Sequence, residues 1–255
     1  MQVGAQLYTV RDFIQTPPDI SASLKKVAAI GYRYVQCSKL GPIDPHHLRD
    51  LLDENGLTCL VTHVDPERML QNIAGVIEEH RIIGCPDIGM SIMPKRYWGS
   101  AAGVRALIAD YRPVVQQILD AGMHFHYHNH DLEYIREEGR ALLDILLEEW
   151  PEAHLLLCAF WTQAGGADPV QCLQTYGDRI KHVHLKDMSC GLRNGERVRL
   201  MQPVLEGNMD YRRLIDLCKE KGVEGLLVEQ DDCNGLDPFE CLKISFENLR
   251  GLGLC

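Results

Sequence analysis

Residues 123–133 read Met123-His124-Phe125-His126-Tyr127-His128-Asn129-His130-Asp131-Leu132-Glu133. Side chains alternate along a strand, so His124, His126, His128 and His130 share one side of it. A parallel strand packed on both faces is normally rich in Val, Ile and Leu, and alternate histidines pointing one way set this one apart. Three further clusters follow the same plan. They are Leu157-Cys158-Ala159-Phe160-Trp161, His182-Val183-His184-Leu185-Lys186-Asp187 and Val228-Glu229-Gln230-Asp231-Asp232. Each follows a short apolar run that reads as a buried strand, and each places metal-ligand or acid–base side chains where that strand stops. Ligands at the carboxyl ends of successive strands are how a parallel β/α protein assembles one site from distant sequence. The arrangement points to a metal-dependent enzyme.

Working outward, strand-like and helix-like runs alternate along the whole chain. Strands read near 2–8, 32–37, 58–63, 87–92, 123–128, 153–159, 180–185 and 225–230. Helices read near 20–30, 44–55, 66–82, 101–121, 138–149, 169–176, 210–221 and 238–250. Glycine closes five helix–strand junctions, at Gly31, Gly56, Gly84, Gly122 and Gly222, where a left-handed residue ends a helix. Asp65-Pro66, Asp168-Pro169 and Asp237-Pro238 read as N-caps followed by proline at the first helical position. Eight strand–helix units in 255 residues match the length of one closed barrel. The fold expected is α/β, a single (β/α)8 TIM barrel over 1–255, with no linker dividing it. A doubly wound open sheet is the rival. Its first turn would carry a glycine-rich phosphate loop, and Tyr8-Thr9-Val10-Arg11-Asp12 has no glycine.

Composition narrows the function. A net charge of −10, with no run of Lys or Arg, argues against nucleic acid and anionic membrane as partners. The amino terminus begins in a strand-like segment without the pattern of a signal peptide, and no apolar run approaches membrane-spanning length. Ten cysteines lie scattered without a C-x-x-C pair, which favours reduced thiols over a disulfide framework. The expectation is a cytoplasmic protein, open to homo-oligomerisation.

Among the histidines, His128 and His184 at strand ends read as functional, whereas His124, His154 and His182 read as hydrogen-bonded core or rim residues. Glu229 follows Gly225-Leu226-Leu227-Val228; a carboxylate there sits at the barrel mouth and needs a cation or strong hydrogen bonds. Lys186 reads equally as an electrophile or substrate anchor, or as the partner of Asp187. The connection 188–209, with Arg193, Arg197 and Arg199, reads as a loop able to cover the site or hold an anion, although a solvated basic loop is the commoner meaning of such charges.

These clusters, with Gly4-Ala5-Gln6-Leu7-Tyr8-Thr9-Val10-Arg11, Phe160-Trp161-Thr162-Gln163-Ala164-Gly165-Gly166-Ala167-Asp168-Pro169 and Glu206-Gly207-Asn208-Met209-Asp210, resemble the sugar phosphate isomerase/epimerase family of the xylose-isomerase-like barrel superfamily. The resemblance spans essentially the whole chain. It implies a divalent cation held by Glu, Asp, His and Glu from strands five to eight, and chemistry on polyhydroxylated carbonyl compounds, with a small-molecule carbohydrate as substrate. Carried onto this sequence, it makes Glu133, Cys158, His184 and Glu229 the metal set, with His128 the alternative at strand five. Glu133, Glu229, His128 and Lys186 become the catalytic candidates, and Gln6, Tyr8, Gln36, His130, Trp161 and Glu206 the substrate contacts. Two positions depart from the family. Cys158 stands where it usually has Asp, and Gln36 where it often has Glu. The ion is Zn²⁺, Mn²⁺, Mg²⁺ or Co²⁺, with Zn²⁺ favoured if Cys158 ligates as a thiolate. The implied reaction is proton transfer next to a carbonyl through an enediolate. A dehydratase or lyase on a cyclic polyol or keto-acid is the alternative, as is a non-catalytic sugar-binding relative that has lost a ligand at Cys158.

Overall fold

The structure is a computed structural model that describes residues 1–255. Eight parallel strands close into a barrel: β1 (Gln2–Gln6), β2 (Tyr34–Ser38), β3 (Thr58–Val64), β4 (Asp87–Met90), β5 (His124–His128), β6 (His154–Cys158), β7 (His182–Leu185) and β8 (Gly225–Val228). Closure is made by β1 on β8, with Gln2 opposite Gly225 and Ala5 opposite Val228. Nine α-helices lie between and after the strands: α1 (Pro17–Ile30), α2 (Pro45–Glu54), α3 (Pro66–Ile83), α4 (Ala101–Asp120), α5 (Leu142–Glu149), α6 (Ala159–Ala164), α7 (Pro169–Tyr176), α8 (Tyr211–Glu220) and α9 (Pro238–Gly251). The expected (β/α)8 TIM barrel is the fold found. No helix is long and apolar enough to cross a membrane.

Local chemistry explains the punctuation. The five junction glycines all have positive φ, between 61° and 128°, which a side chain would oppose. Asp65, Asp168 and Asp237 each accept a backbone N–H in the first turn of the helix they precede.

Several expected boundaries need correction. The strand read through 8 stops at Gln6, and the helix read from 20 begins at Pro17. The helix read from 138 begins at Leu142, because Arg136–Glu137 and Arg140–Ala141 pair as a small antiparallel hairpin. The strand read through 159 stops at Cys158, where α6 starts. The connection read as a loop from 188 is an antiparallel hairpin, Asp187–Arg193 against Glu196–Gln202. Its turn is Asn194-Gly195, both at positive φ, the backbone a two-residue type I′ turn demands. Of its arginines, Arg193 binds Asp232 at 2.8 Å and Arg199 binds the Ala164 carbonyl at 2.9 Å. Both guanidinium groups are thus engaged outside the barrel mouth.

The core has two parts. A large apolar cluster lies between strands and helices, while Leu60, Val61, Leu156 and Leu227 form a separate small one, with Tyr34 packed against it. Leu156 shares its strand face with His154 and Cys158, and Leu227 shares its face with Gly225 and Glu229. This small cluster is therefore an apolar plug inside the barrel, with polar side chains beyond it toward either end.

Candidate functional site

At the carboxyl ends of the strands a cavity of about 480 Å³ opens, walled by Tyr8, Lys39, His63, His128, His130, Trp161, Lys186, Glu229 and Asp231 among others. His63 and His128 line its floor, and a third imidazole, the fully buried His184, packs against them. His63 lies one residue before the end of β3, His128 ends β5 and His184 lies near the end of β7; the rings of His128 and His184 are 4.6 Å apart and those of His63 and His128 4.8 Å. All three offer ligand atoms within 4.8 Å of one another. Burial, and then the neighbouring charges, hold each of them well below the ordinary histidine pKa. Neutral imidazole is the form that ligates metal.

The hydrogen bonds around these rings decide which nitrogens are free. His128 Nδ1 lies 3.2 Å from the Ser91 carbonyl, so Nδ1–H donates and Nε2 keeps its lone pair. His184 Nε2 lies 2.6 Å from Gln36 Oε1, so Nε2–H donates and Nδ1 keeps its lone pair. That Nδ1 faces Glu229 Oε2 at 2.8 Å. Two acceptors so close repel unless a proton or a cation stands between them. His128 Nε2 and His184 Nδ1 are buried without a hydrogen-bond partner, and Glu229 Oε2 meets only that His184 nitrogen and the Lys186 ammonium, 3.0 Å away. Histidine with one nitrogen donating to a carbonyl and the other free is the usual pattern of a metal ligand. The residues present thus fit a divalent cation, through two imidazoles and one carboxylate, with His63 Nε2 the next unpartnered donor.

Lys186 completes the floor. Its ammonium lies 3.0 Å from Glu229 and 2.9 Å from Asp231, and 5.5 Å from the centre of the Trp161 ring. Burial pulls its pKa down, but the two carboxylates outweigh burial and hold it above the ordinary lysine value. Asp231 is shifted upward, first by burial and then by Glu229. Of the two readings open for Lys186, pairing with Asp187 does not occur. The Asp187 carboxylate instead accepts from the backbone N–H groups of Met188, Leu205, Gly207 and Met209. A side chain at Gly207 would collide with it, its Cβ 2.3 Å from Asp187 Oδ1.

The other sequence candidates divide. Tyr8, His130 and Trp161 reach the cavity wall. Gln6 and Gln36 lie fully buried beneath it and hold rings rather than face the opening: Gln6 Nε2 is 3.3 Å from His63 Nδ1, and Gln36 binds His184. Glu133 is not brought to the cavity. The chain turns back after His130, and the carboxylate is buried, accepting from Tyr127 Oη at 2.5 Å and the His130 N–H at 2.7 Å. Burial pushes its pKa up to about 7. Cys158 is also absent from the wall. It is fully buried, and burial raises its thiol to about 12, which keeps it protonated. Glu206 is exposed and accepts from Asn248 at 2.9 Å, outside the cavity.

Two residues that the sequence reading passed over stand in the site. His63 ends an apolar run just as His128 does, and the same strand-end rule applied to β3 would have found it. Asp231 lay inside the quoted cluster after β8, but its pairing with Lys186 depends on the curl of that loop.

The fold and this mouth define the class: a parallel β/α barrel whose polar site gathers at the carboxyl ends of its strands. The chain belongs to the xylose isomerase-like TIM barrel family, whose model matches residues 24–233. No curated protein matches it. Among solved structures it is similar to a sugar phosphate isomerase/epimerase from Parabacteroides distasonis, with 20% identity, 99% of this chain and 94% of that one covered, and a TM-score of 0.83. It is similar as well to an L-ribulose 3-epimerase, with 14% identity, 100% and 95% covered, and a TM-score of 0.75. A third is a xylose isomerase-like TIM barrel protein from Mycobacterium smegmatis in complex with magnesium, with 14% identity, 99% and 96% covered, and a TM-score of 0.74. At such identities the likeness is one of fold.

Proposed function

We propose that residues 1–255 act as one metal-dependent isomerase or epimerase that moves a proton next to the carbonyl of a small sugar or sugar phosphate in the cytoplasm. The observation that carries this reading is the convergence of three buried ligand atoms, the unpartnered His128 Nε2 and His184 Nδ1 and the Lys186-paired Glu229 Oε2, at the bottom of one cavity that His128, Lys186 and Glu229 line. Two imidazoles and a carboxylate suit a borderline ion such as Zn²⁺ or Co²⁺ better than Mg²⁺. Bound there, a divalent cation supplies Lewis-acid stabilisation for neighbouring substrate oxygens.

The chain's own groups take the remaining roles. His128 and His184 are kept in the ligating tautomer by Ser91 and Gln36. Glu229 contributes negative charge to the cation, and Asp231 accepts and returns the substrate proton. Lys186 stays charged between the two carboxylates and stabilises negative charge growing on a carbonyl oxygen. Trp161 and His130, whose rings lie 5.5 Å apart, offer a flat wall to the carbon face of a sugar. The ten free cysteines, most of them buried, support a reducing compartment.

The test is exchange of the hydrogen next to the carbonyl with solvent deuterium, followed by proton NMR over a panel of ketoses, keto-polyols and their phosphates, with Zn²⁺, Co²⁺, Mn²⁺ and Mg²⁺ supplied in turn. Exchange with at least one pair is expected, and its loss in Asp231→Asn at unchanged metal content. Loss of water from a substrate in place of exchange would favour a dehydratase. Silence across the panel would favour a sugar-binding protein without catalysis.

A further inference from the structure

The amino-terminal end of the barrel holds a second group of donors that the site above does not use. Asp87 opens β4, His126 is central in β5 and His182 opens β7; they are 6%, 0% and 1% exposed. Asp87 Oδ1 lies 2.7 Å from His126 Nε2, and Oδ2 lies 3.5 Å from His182 Nε2. The three side chains offer ligand atoms all within 4.8 Å of one another.

Neighbours hold both rings in this pose. His154 stacks on His126 with ring centroids 5.2 Å apart. A Cβ at position 225 would come within 2.5 Å of His182 Nδ1, so Gly225 leaves the room that turns Nε2 toward Asp87. The charge is the telling feature. Asp87 has only histidines for ion-pair partners, His124, His126 and His182, and no lysine or arginine. The buried carboxylate has no lysine or arginine beside it to offset its charge, which is expensive in a low-dielectric interior. A divalent ion removes that cost and takes up three convergent donors at once.

We propose that Asp87, His126 and His182 form a second metal site, which takes one zinc-like divalent ion as a structural clasp across β4, β5 and β7. Two imidazoles and one carboxylate are a tetrahedral Zn²⁺ donor set with one position left over. His124 stands beside that set, its Nδ1 3.1 Å from Asp87 Oδ1 and its side chain 40% exposed, so the donors lie one ring away from solvent. Position in the fold indicates the role, since the amino-terminal face of a barrel serves stability and the carboxyl face serves chemistry. The apolar plug separates this site from the mouth, and the inference is independent of any reaction there.

Titration with Co²⁺, read by visible absorption and by metal analysis, tests the proposal in the full chain. The variant His128→Ala/His184→Ala removes two donors of the mouth. It is expected to retain one tightly held Co²⁺ per chain with a tetrahedral spectrum, displaced by Zn²⁺. Adding Asp87→Asn or His182→Gln to that background is expected to weaken binding about tenfold or more. Should those variants fail to fold, the folded mouth variant still locates the ion, through paramagnetic broadening of the His126 and His182 ring resonances. A mouth variant that binds no Co²⁺, or binds it with those resonances sharp, overturns the proposal. So does affinity that survives the loss of Asp87.

Discussion

The two ends of the barrel interior are built from the same sequence device and do different things. Strand β5 sends His124 and His126 toward one end and His128 toward the other, and β7 divides His182 and His184 in the same way. At the mouth the rings border a cavity, with Lys186, Glu229 and Asp231 open to a ligand. At the amino end the rings close around Asp87, with no lysine within ion-pair distance. Leu60, Val61, Leu156 and Leu227 stand between. The comparison teaches that a histidine's chemistry is set by what it faces. A ring that borders a cavity, as His128 does, can meet a ligand from solvent, whereas His126 and His182, sealed around Asp87, meet only the wall.

Ways to break that contrast follow in order of size. Replacement of Asp231 by Asn is expected to slow solvent exchange by about 10²–10⁴-fold, the usual contribution of a positioned proton-transfer group, and to leave the ion bound at the mouth. Glu229→Ala is expected to lose both, because it removes a donor of the ion and a partner of Lys186. Equal exchange in wild type and Glu229→Ala, measured by NMR, would place the chemistry elsewhere. Asp87→Asn, by contrast, is expected to lower the unfolding midpoint while the rate per folded molecule holds.

The plug offers the next largest effect. Leu156→Ala empties space between the two polar ends and is expected to cost about 2–5 kcal/mol in urea unfolding. A cost below ~1 kcal/mol would mean that the plug packs loosely and the ends are not insulated.

A pH effect of similar or smaller size belongs to Glu133. Its pKa near 7 in the folded chain, against an ordinary 4.5, means that the folded state holds its proton more tightly than the unfolded one. No penalty exists below about pH 4.5, stability falls as pH rises from there to about 7, and the full loss persists above. The shift corresponds to roughly 3 kcal/mol at most. Melting temperature against pH is expected to flatten over that window in Glu133→Gln. An unchanged slope would show that Glu133 is ionised at all these pH values, as a carboxylate beside a cation would be.

The smallest effect is assigned to Cys158. Because the thiol is buried and protonated, Cys158→Ser is expected to leave the metal content of the mouth unchanged and to lower stability by about 1 kcal/mol. Loss of the ion in that variant would return Cys158 to the ligand set.

Much of this architecture was legible before any coordinates. A parallel strand covered on both faces is normally apolar along its length, so most barrel strands stood out as runs, and β5 and β7 stood out by the alternate histidines that interrupt theirs. Helix caps and left-handed glycines are local chemistry, readable within a few residues, and they marked the same junctions that the structure shows. The strand-end rule located His128, His184, Lys186 and Glu229 because side-chain alternation and strand length are also local properties. Hairpin 187–202 carried its signal in Asn194-Gly195 and in Arg197-Val198-Arg199-Leu200, but the density of charge made it read as a loop.

What the chain alone determined, then, is the barrel and a part of the side chains at its mouth, His128, Lys186 and Glu229 among them. Which of them are free to act was a tertiary matter. Glu133 is within five residues of His128, yet a turn buries it under Tyr127. Asp231 meets Lys186 across 45 residues, and Gln36 selects the tautomer of His184 across 148. Asp87 finds His182 across 95. Ligation and proton transfer depend on distances of about 3 Å and on which nitrogen carries the hydrogen. Those quantities exist only once β1 has closed against β8.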